Sequence, residues 1–238
     1  MLARCNGLCY NCLKGKAVFF DLDYDQTVVV GKLRRWERYL EAFRLPKWSE
    51  IPDIGLYMDQ VIRLITQYLD YYPPELKDGK YITATTVNNY VRMKIMPEPI
   101  KKKYYRVHIG YLIMICTLKH SLSIAMVQKL IPVDIGEEEF CRIYEGYAER
   151  HRISAQKFIS QVKEIGAPLF HPENSDGSDL MEVHDLIYDY AVLTGFSKLL
   201  TEKLVLLKSV TMDQVEADTF AYKSDVRPAE IFSAEIDE

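Results

Sequence analysis

The sequence predicts a mainly α-helical protein in which a run of short helices is followed by two long ones. Two observations carry this expectation. From residue 33 onward, apolar residues recur three and four apart, the spacing that places them on one face of a helix. Segments with that spacing are separated by proline-containing breaks at Pro46, Pro73–Pro74, Pro97–Pro99, Pro132 and Pro168, where a helix cannot easily continue.

The chain has 238 residues, enough for one large or two modest domains. With 48% hydrophobic and 27% charged residues it can bury a core, which excludes global disorder. Five cysteines, an odd number, do not form a secreted disulfide framework. The start has no continuous apolar stretch of the signal-peptide kind. The longest apolar run, 107–118, is shorter than the ~20 residues a bilayer span requires. The expectation is a soluble, cytoplasmic protein without a membrane partner.

Charge is distributed unevenly. Residues 81–131 hold eight Lys and Arg against Glu98 alone, hence +7 in a chain of net charge −4. A basic island in an acidic chain points to a phosphate-bearing partner, and double-stranded DNA is the expected one.

Residues 1–32 are read as an N-terminal extension. Cys5, Cys9 and Cys12 are spaced C-x3-C-x2-C, which resembles the cluster-binding triad of radical S-adenosylmethionine enzymes. The run ending in Asp21, Asp23, Asp25 and Thr27 resembles the nucleophile strand of haloacid-dehalogenase-type phosphatases. Neither is followed by the strands that would complete such a site, so no enzyme and no cofactor are expected.

Residues 33–135 are read as one domain. A helix over 33–43 carries Leu33, Trp36, Leu40 and Phe43. Trp48, Ile51, Pro52 and Ile54 form an apolar strap, and Asp53 is the expected N-cap of a helix over 54–71. A turn follows over 75–80. Thr83 or Thr85 caps the next helix, which buries Val87, Tyr90, Val91 and Ile95 and turns Thr86, Asn88, Asn89, Arg92 and Lys94 outward. Polar residues of this kind can read base edges in a major groove, although any solvated helix face carries them. Lys101, Lys102, Lys103, Tyr104, Tyr105 and Arg106 then put four cations and two aromatics into a turn suited to gripping a phosphate backbone. Residues 106–120 are apolar almost all round and read as a central core helix, which makes Cys116 a buried, inert thiol. Ser121 or Ser123 caps a last short helix over 124–131.

Thr85-Thr86-Val87-Asn88-Asn89-Tyr90, Ile95 to Pro99, Tyr104 with His108-Ile109, and Leu122-Ser123-Ile124 together resemble the MerR-type winged helix-turn-helix. The resemblance spans about fifty residues. Residues 48–131 also resemble a bacterial family, domain of unknown function 1836, through the LYMDQV, NNYV and KKKY-R-HI-YLI-IC-LK segments. The MerR resemblance implies a DNA-binding transcriptional regulator. Its contacts would be Thr85, Thr86, Asn88, Asn89, Arg92 and Lys94 on the reading helix and Lys101, Lys102, Lys103, Tyr104 and Arg106 on the wing. Three positions depart from that family. Asn88 stands where it has Arg, Asn89 where it has the first Tyr, and Lys94 where it has Gly. The alternative is a non-catalytic adaptor that keeps the fold for packing.

Residues 136–208 are read as a long helical hairpin, with helices over 137–165 and 179–207, and as the candidate surface for a homodimer. His151, His171 and His184, with Cys141, Glu173 or Asp176, match no metal-binding spacing, so no metal is expected. Residues 209–238 hold eight acids against two bases and read as an acidic tail.

Overall fold

A computed structural model describes residues 24–70, 82–165, 167 and 183–210. The N-terminal cysteines, Asp21, Asp23, the turn over 75–80, His171, Glu173, Asp176 and the acidic tail from 211 lie outside the described residues.

The described residues form seven α-helices and no β-strand longer than a single bridge. They are α1 (Gln26–Ala42), α2 (Met58–Tyr68), α3 (Ala84–Arg92), α4 (Arg106–Leu118), α5 (Ile124–Leu130), α6 (Glu137–Ile165) and α7 (Val183–Leu206). The mainly α expectation therefore holds. Among the described residues, no helix is long and apolar enough to cross a membrane.

α4 is the axis of the core. Ten of its residues, from His108 to Thr117, are buried. A helix without a polar face must be covered on every side. α2 and α6 pack against α4, and α3 packs on α2. Trp48, on a short 3-10 turn, and Phe140 and Tyr144 of α6 meet over Gly110. Tyr111 stacks on Phe140 with ring centroids 3.9 Å apart. Both phenols of this cluster keep their hydrogen bonds, Tyr144 donating to Pro46 O (2.8 Å) and Tyr111 to Pro132 O (2.8 Å). Cys116 is fully buried and its thiol is pushed up to about 12 by desolvation, in keeping with an inert core cysteine.

Three expectations need correction. α1 starts at Gln26 rather than 33, because Asp25 caps it by accepting the Val28 N–H (3.1 Å). Gly31 is carried inside the helix at a cost of only about 1 kcal/mol. α2 starts at Met58, and Asp53 is not its cap. Gln60 instead reaches back to the Tyr57 N–H (2.9 Å), while Leu56 is drawn into an antiparallel bridge with Tyr104. The two long helices do not make a self-contained hairpin. α6 packs chiefly on α1 and α4, with Trp36 edge-on to Phe158 and Lys163 paired to Glu37 (2.6 Å). α7 packs on α5, and its Tyr190 lies edge-on to Phe158 of α6.

The turn that seats Trp48 is tied by Glu50, whose carboxylate takes both Arg44 guanidinium nitrogens (2.6 and 2.7 Å) and the Lys47 N–H (2.8 Å). These bonds, the Arg44 side chain foremost, lower the Glu50 carboxyl to about 2. A carboxyl lowered in the folded state contributes stability above its ordinary value, and that contribution is lost as pH falls through the lowered one. Thermal unfolding should thus show the wild type losing stability between pH ~4.5 and ~2 more steeply than Glu50→Gln. Parallel curves would mean that the clamp is immaterial.

Candidate nucleic-acid interface

Five of the eight basic residues of the island lie on α3, its C-terminal stop and the hairpin that links it to α4, whereas Arg106 opens α4, Lys119 ends it and Lys129 is on α5. Thr83 starts α3, its hydroxyl accepting the Thr86 N–H (3.1 Å). Val87 and Tyr90 are buried and Val91 is half-buried, so the opposite face is outward. Thr85, Asn88, Asn89 and Arg92 occupy that face at i, i+3, i+4 and i+7. Asn88 and Arg92 are exposed, and Arg92 donates to Asn89 Oδ1 (3.0 Å). Thr86 lies to the side, its hydroxyl 2.9 Å from that of Thr83.

α3 ends in a left-handed residue. Lys94 has φ 53°, with the Ile95 N–H bonded to Tyr90 O and the Lys94 N–H to Val91 O. This is a Schellman stop, a position that favours glycine. Lys94 thus holds, as a residue with a side chain, a backbone conformation that glycine adopts without strain.

The hairpin turns at Lys101 and Lys102. Ile100 and Lys103 exchange both backbone hydrogen bonds (3.0 Å each), and the two residues between them have φ 49° and 63°. Two consecutive left-handed residues define the tight hairpin turn that normally takes Asn-Gly. Two lysines occupy it here, both exposed and each in a conformation costing an L-residue roughly 1–2 kcal/mol. Lys103 lies lower, its ammonium 5.4 Å from the centre of the Tyr57 ring.

Two expected contact residues serve the fold instead. Tyr104 is buried at 3% exposure, paired through its backbone with Leu56 and edge-on to His108. Arg106 turns inward. Its Nε donates to Ile51 O (2.9 Å), a guanidinium nitrogen is 3.7 Å from Asp53, and the guanidinium lies over Trp48. Packing on the 48–56 segment takes both side chains away from the hairpin tip.

His108 was not singled out as a site residue, yet it holds the hairpin. Its Nδ1 accepts the Tyr105 N–H (3.0 Å), so its Nε2 donates to Glu98 O (2.9 Å). One imidazole thereby joins both legs of the hairpin to the first turn of α4. The sequence signal is its place three residues after the N-cap Tyr105, from which a side chain can reach back to the N-cap backbone.

Residues 46–147 match the family model of the Domain of unknown function (DUF1836). No curated protein and no solved structure matches the chain. The matched segment of this domain is nearly coextensive with the main core cluster, which runs from Leu45 to Tyr144. The Tyr144–Pro46 hydrogen bond closes one end of it onto the other. The strap, the hairpin, α2 to α5 and the start of α6 fall inside the match, whereas α1 and α7 fall outside it. Among the described residues, no three His, Cys, Asp or Glu side chains are grouped to hold a metal ion.

Proposed function

We propose that this protein binds duplex DNA as a transcriptional regulator of the winged helix-turn-helix kind, similar to MerR-type proteins in the order of its elements. α2 and α3 would be the helix-turn-helix, the 100–103 hairpin the wing, and α4 and α5 the helices that follow. The observation that carries this reading is the pair of left-handed lysines at the hairpin tip. Backbone strain at an exposed, doubly charged turn lowers stability without any packing gain, which is what a site kept for function does. Lys101 and Lys102 would contact phosphates, and Thr85, Asn88, Asn89 and Arg92 would face a groove.

The test is duplex binding by fluorescence anisotropy across a salt series, with Lys101→Asn/Lys102→Gly as the variant. Wild-type affinity should fall steeply with salt, and the variant's log–log slope should be shallower by about 2. The same variant should be about 1–2 kcal/mol more stable, because Asn-Gly suits the turn. Absent or salt-insensitive binding would remove the DNA reading. That outcome favours the adaptor alternative, which draws on the inward placement of Tyr104 and Arg106.

A further inference from the structure

The ends of α1 and α2 meet the 44–50 segment around an open cleft of about 440 Å³. α1 stops at Ala42, and Phe43 leaves the helix in an extended conformation, which opens the notch. Three rings line it. Tyr39 and Phe43 stack one helical turn apart on α1, with centroids 6.3 Å apart and planes at 25°. Tyr68 comes from the end of α2, its hydroxyl donating to Glu50 O (3.4 Å). A concave site of this size, lined by rings and a few polar groups, has the form of a small-molecule site.

The charged groups of the cleft, Arg44 and Glu50, narrow the choice of ligand. Glu50 is committed, since its two oxygens take both terminal nitrogens of Arg44 and the Lys47 N–H. Arg44 is not used up. A guanidinium carries its N–H donors in planar forks, and Glu50 fills the one formed by Nη1 and Nη2. Leu45 O lies 3.5 Å from Nη1, and among the described residues nothing accepts from Nε. The Nε–H and the outer Nη2–H thus form a second fork, whose spacing a carboxylate fills with two bonds. A cation in the cleft would meet the guanidinium instead, and the carboxylate that lines the cleft is already paired to it.

We infer that this cleft binds an aromatic carboxylic acid of one or two rings, its ring against Tyr39 and Tyr68 and its carboxylate on the second fork of Arg44. The rings supply most of the affinity, and the exposed guanidinium supplies orientation and the choice of charge. Gln67, exposed and also lining the cleft, offers a further donor to a substituent on the ring. Tyr39, Phe43 and Arg44 precede the family match, whereas Glu50 and Tyr68 fall inside it. None of these residues belongs to α3 or the hairpin, so the inference is independent of duplex binding.

The test is isothermal titration calorimetry of the full chain with cinnamate as the probe and cinnamylamine as its cationic counterpart. Cinnamate should bind with a dissociation constant of about 0.01–1 mM, and cinnamylamine about tenfold more weakly or worse. Arg44→Gln should weaken cinnamate binding about tenfold or more. Tyr39→Ala should weaken it about fivefold without unfolding the chain, since the ring is 42% exposed. Glu50→Gln should tighten it about threefold, because Arg44 is released from a competing carboxylate. A clamp that acts only on the fold predicts the opposite sign for that variant. Absence of cinnamate binding up to about 10 mM overturns the site, as does equal affinity for the two probes. Weaker binding by Glu50→Gln overturns the role given to the second fork. Binding unchanged in both Arg44→Gln and Tyr39→Ala would place cinnamate elsewhere, such as on the exposed Phe196 of α7, and overturns the site too.

Discussion

Replacing His108 with alanine is expected to lower stability by about 2–4 kcal/mol and to loosen the hairpin selectively. The imidazole is 1% exposed and satisfies two backbone groups, the Tyr105 N–H and the Glu98 carbonyl. Alanine strips both partners and leaves a cavity beside Tyr104, and each stranded backbone group costs about 1–3 kcal/mol to the extent that water cannot reach it. α2 supplies an internal comparison. There, Gln60 makes the equivalent reach to the Tyr57 N–H. His108→Gln should therefore keep the Tyr105 contact, lose the Glu98 contact and fall about midway in stability. Denaturant unfolding measures the size of the effect, and amide exchange over residues 98–105 measures its location. A loss below about 0.5 kcal/mol would show that the hairpin is held by Tyr104 and Arg106 without the histidine.

Gly110→Val is expected to cost about 3 kcal/mol or more, and Gly110→Ala about 1–2 kcal/mol, despite the better helix propensity of alanine. A Cβ at this position would stand 2.9 Å from Phe140 Cε1, 3.1 Å from Trp48 Cζ3 and 3.4 Å from Tyr144 Cδ2. None of these rings can yield freely. Phe140 is stacked on Tyr111, and Tyr144 is tethered to Pro46 O. Gly146, in the middle of α6, is the control. A Cβ there meets nothing within 4 Å, so Gly146→Ala should stabilise by up to about 1 kcal/mol. Opposite signs from the same substitution would separate packing from propensity. A neutral Gly110→Ala would mean that the aromatic cluster can repack.

What was legible in the sequence was what local pattern decides. α4, α5 and α6 begin and end within two residues of where periodicity, Ser123 and Pro132 place them. The outward stripe of α3 follows from its 3.6-residue period once Val87 and Tyr90 are known to be buried. What was not legible is decided by contacts distant in the chain. Residues 54–57 looked like the start of a helix, and the Leu56–Tyr104 bridge holds Leu56 extended. Tyr104 and Arg106 looked like surface donors, and the 48–56 segment draws them in. Lysine carries no turn signal, so nothing local marked Lys101 and Lys102 as left-handed. The apolar residues of α7 suggested burial in a hairpin, and periodicity alone could not say that most of them would face outward.

The hairpin tip has one consequence for the thermodynamics of whatever it meets. Its backbone is fixed before any encounter by the tight turn, the His108 bridge, the buried Tyr104 and the Arg106 anchor on Ile51. Only the outer side-chain torsions of Lys101 and Lys102 are left to order on contact, about 0.5–1.5 kcal/mol per side chain. The signature is a small heat-capacity change and a fast, charge-steered on-rate, in contrast to the large heat-capacity change of a basic segment that must fold as it binds.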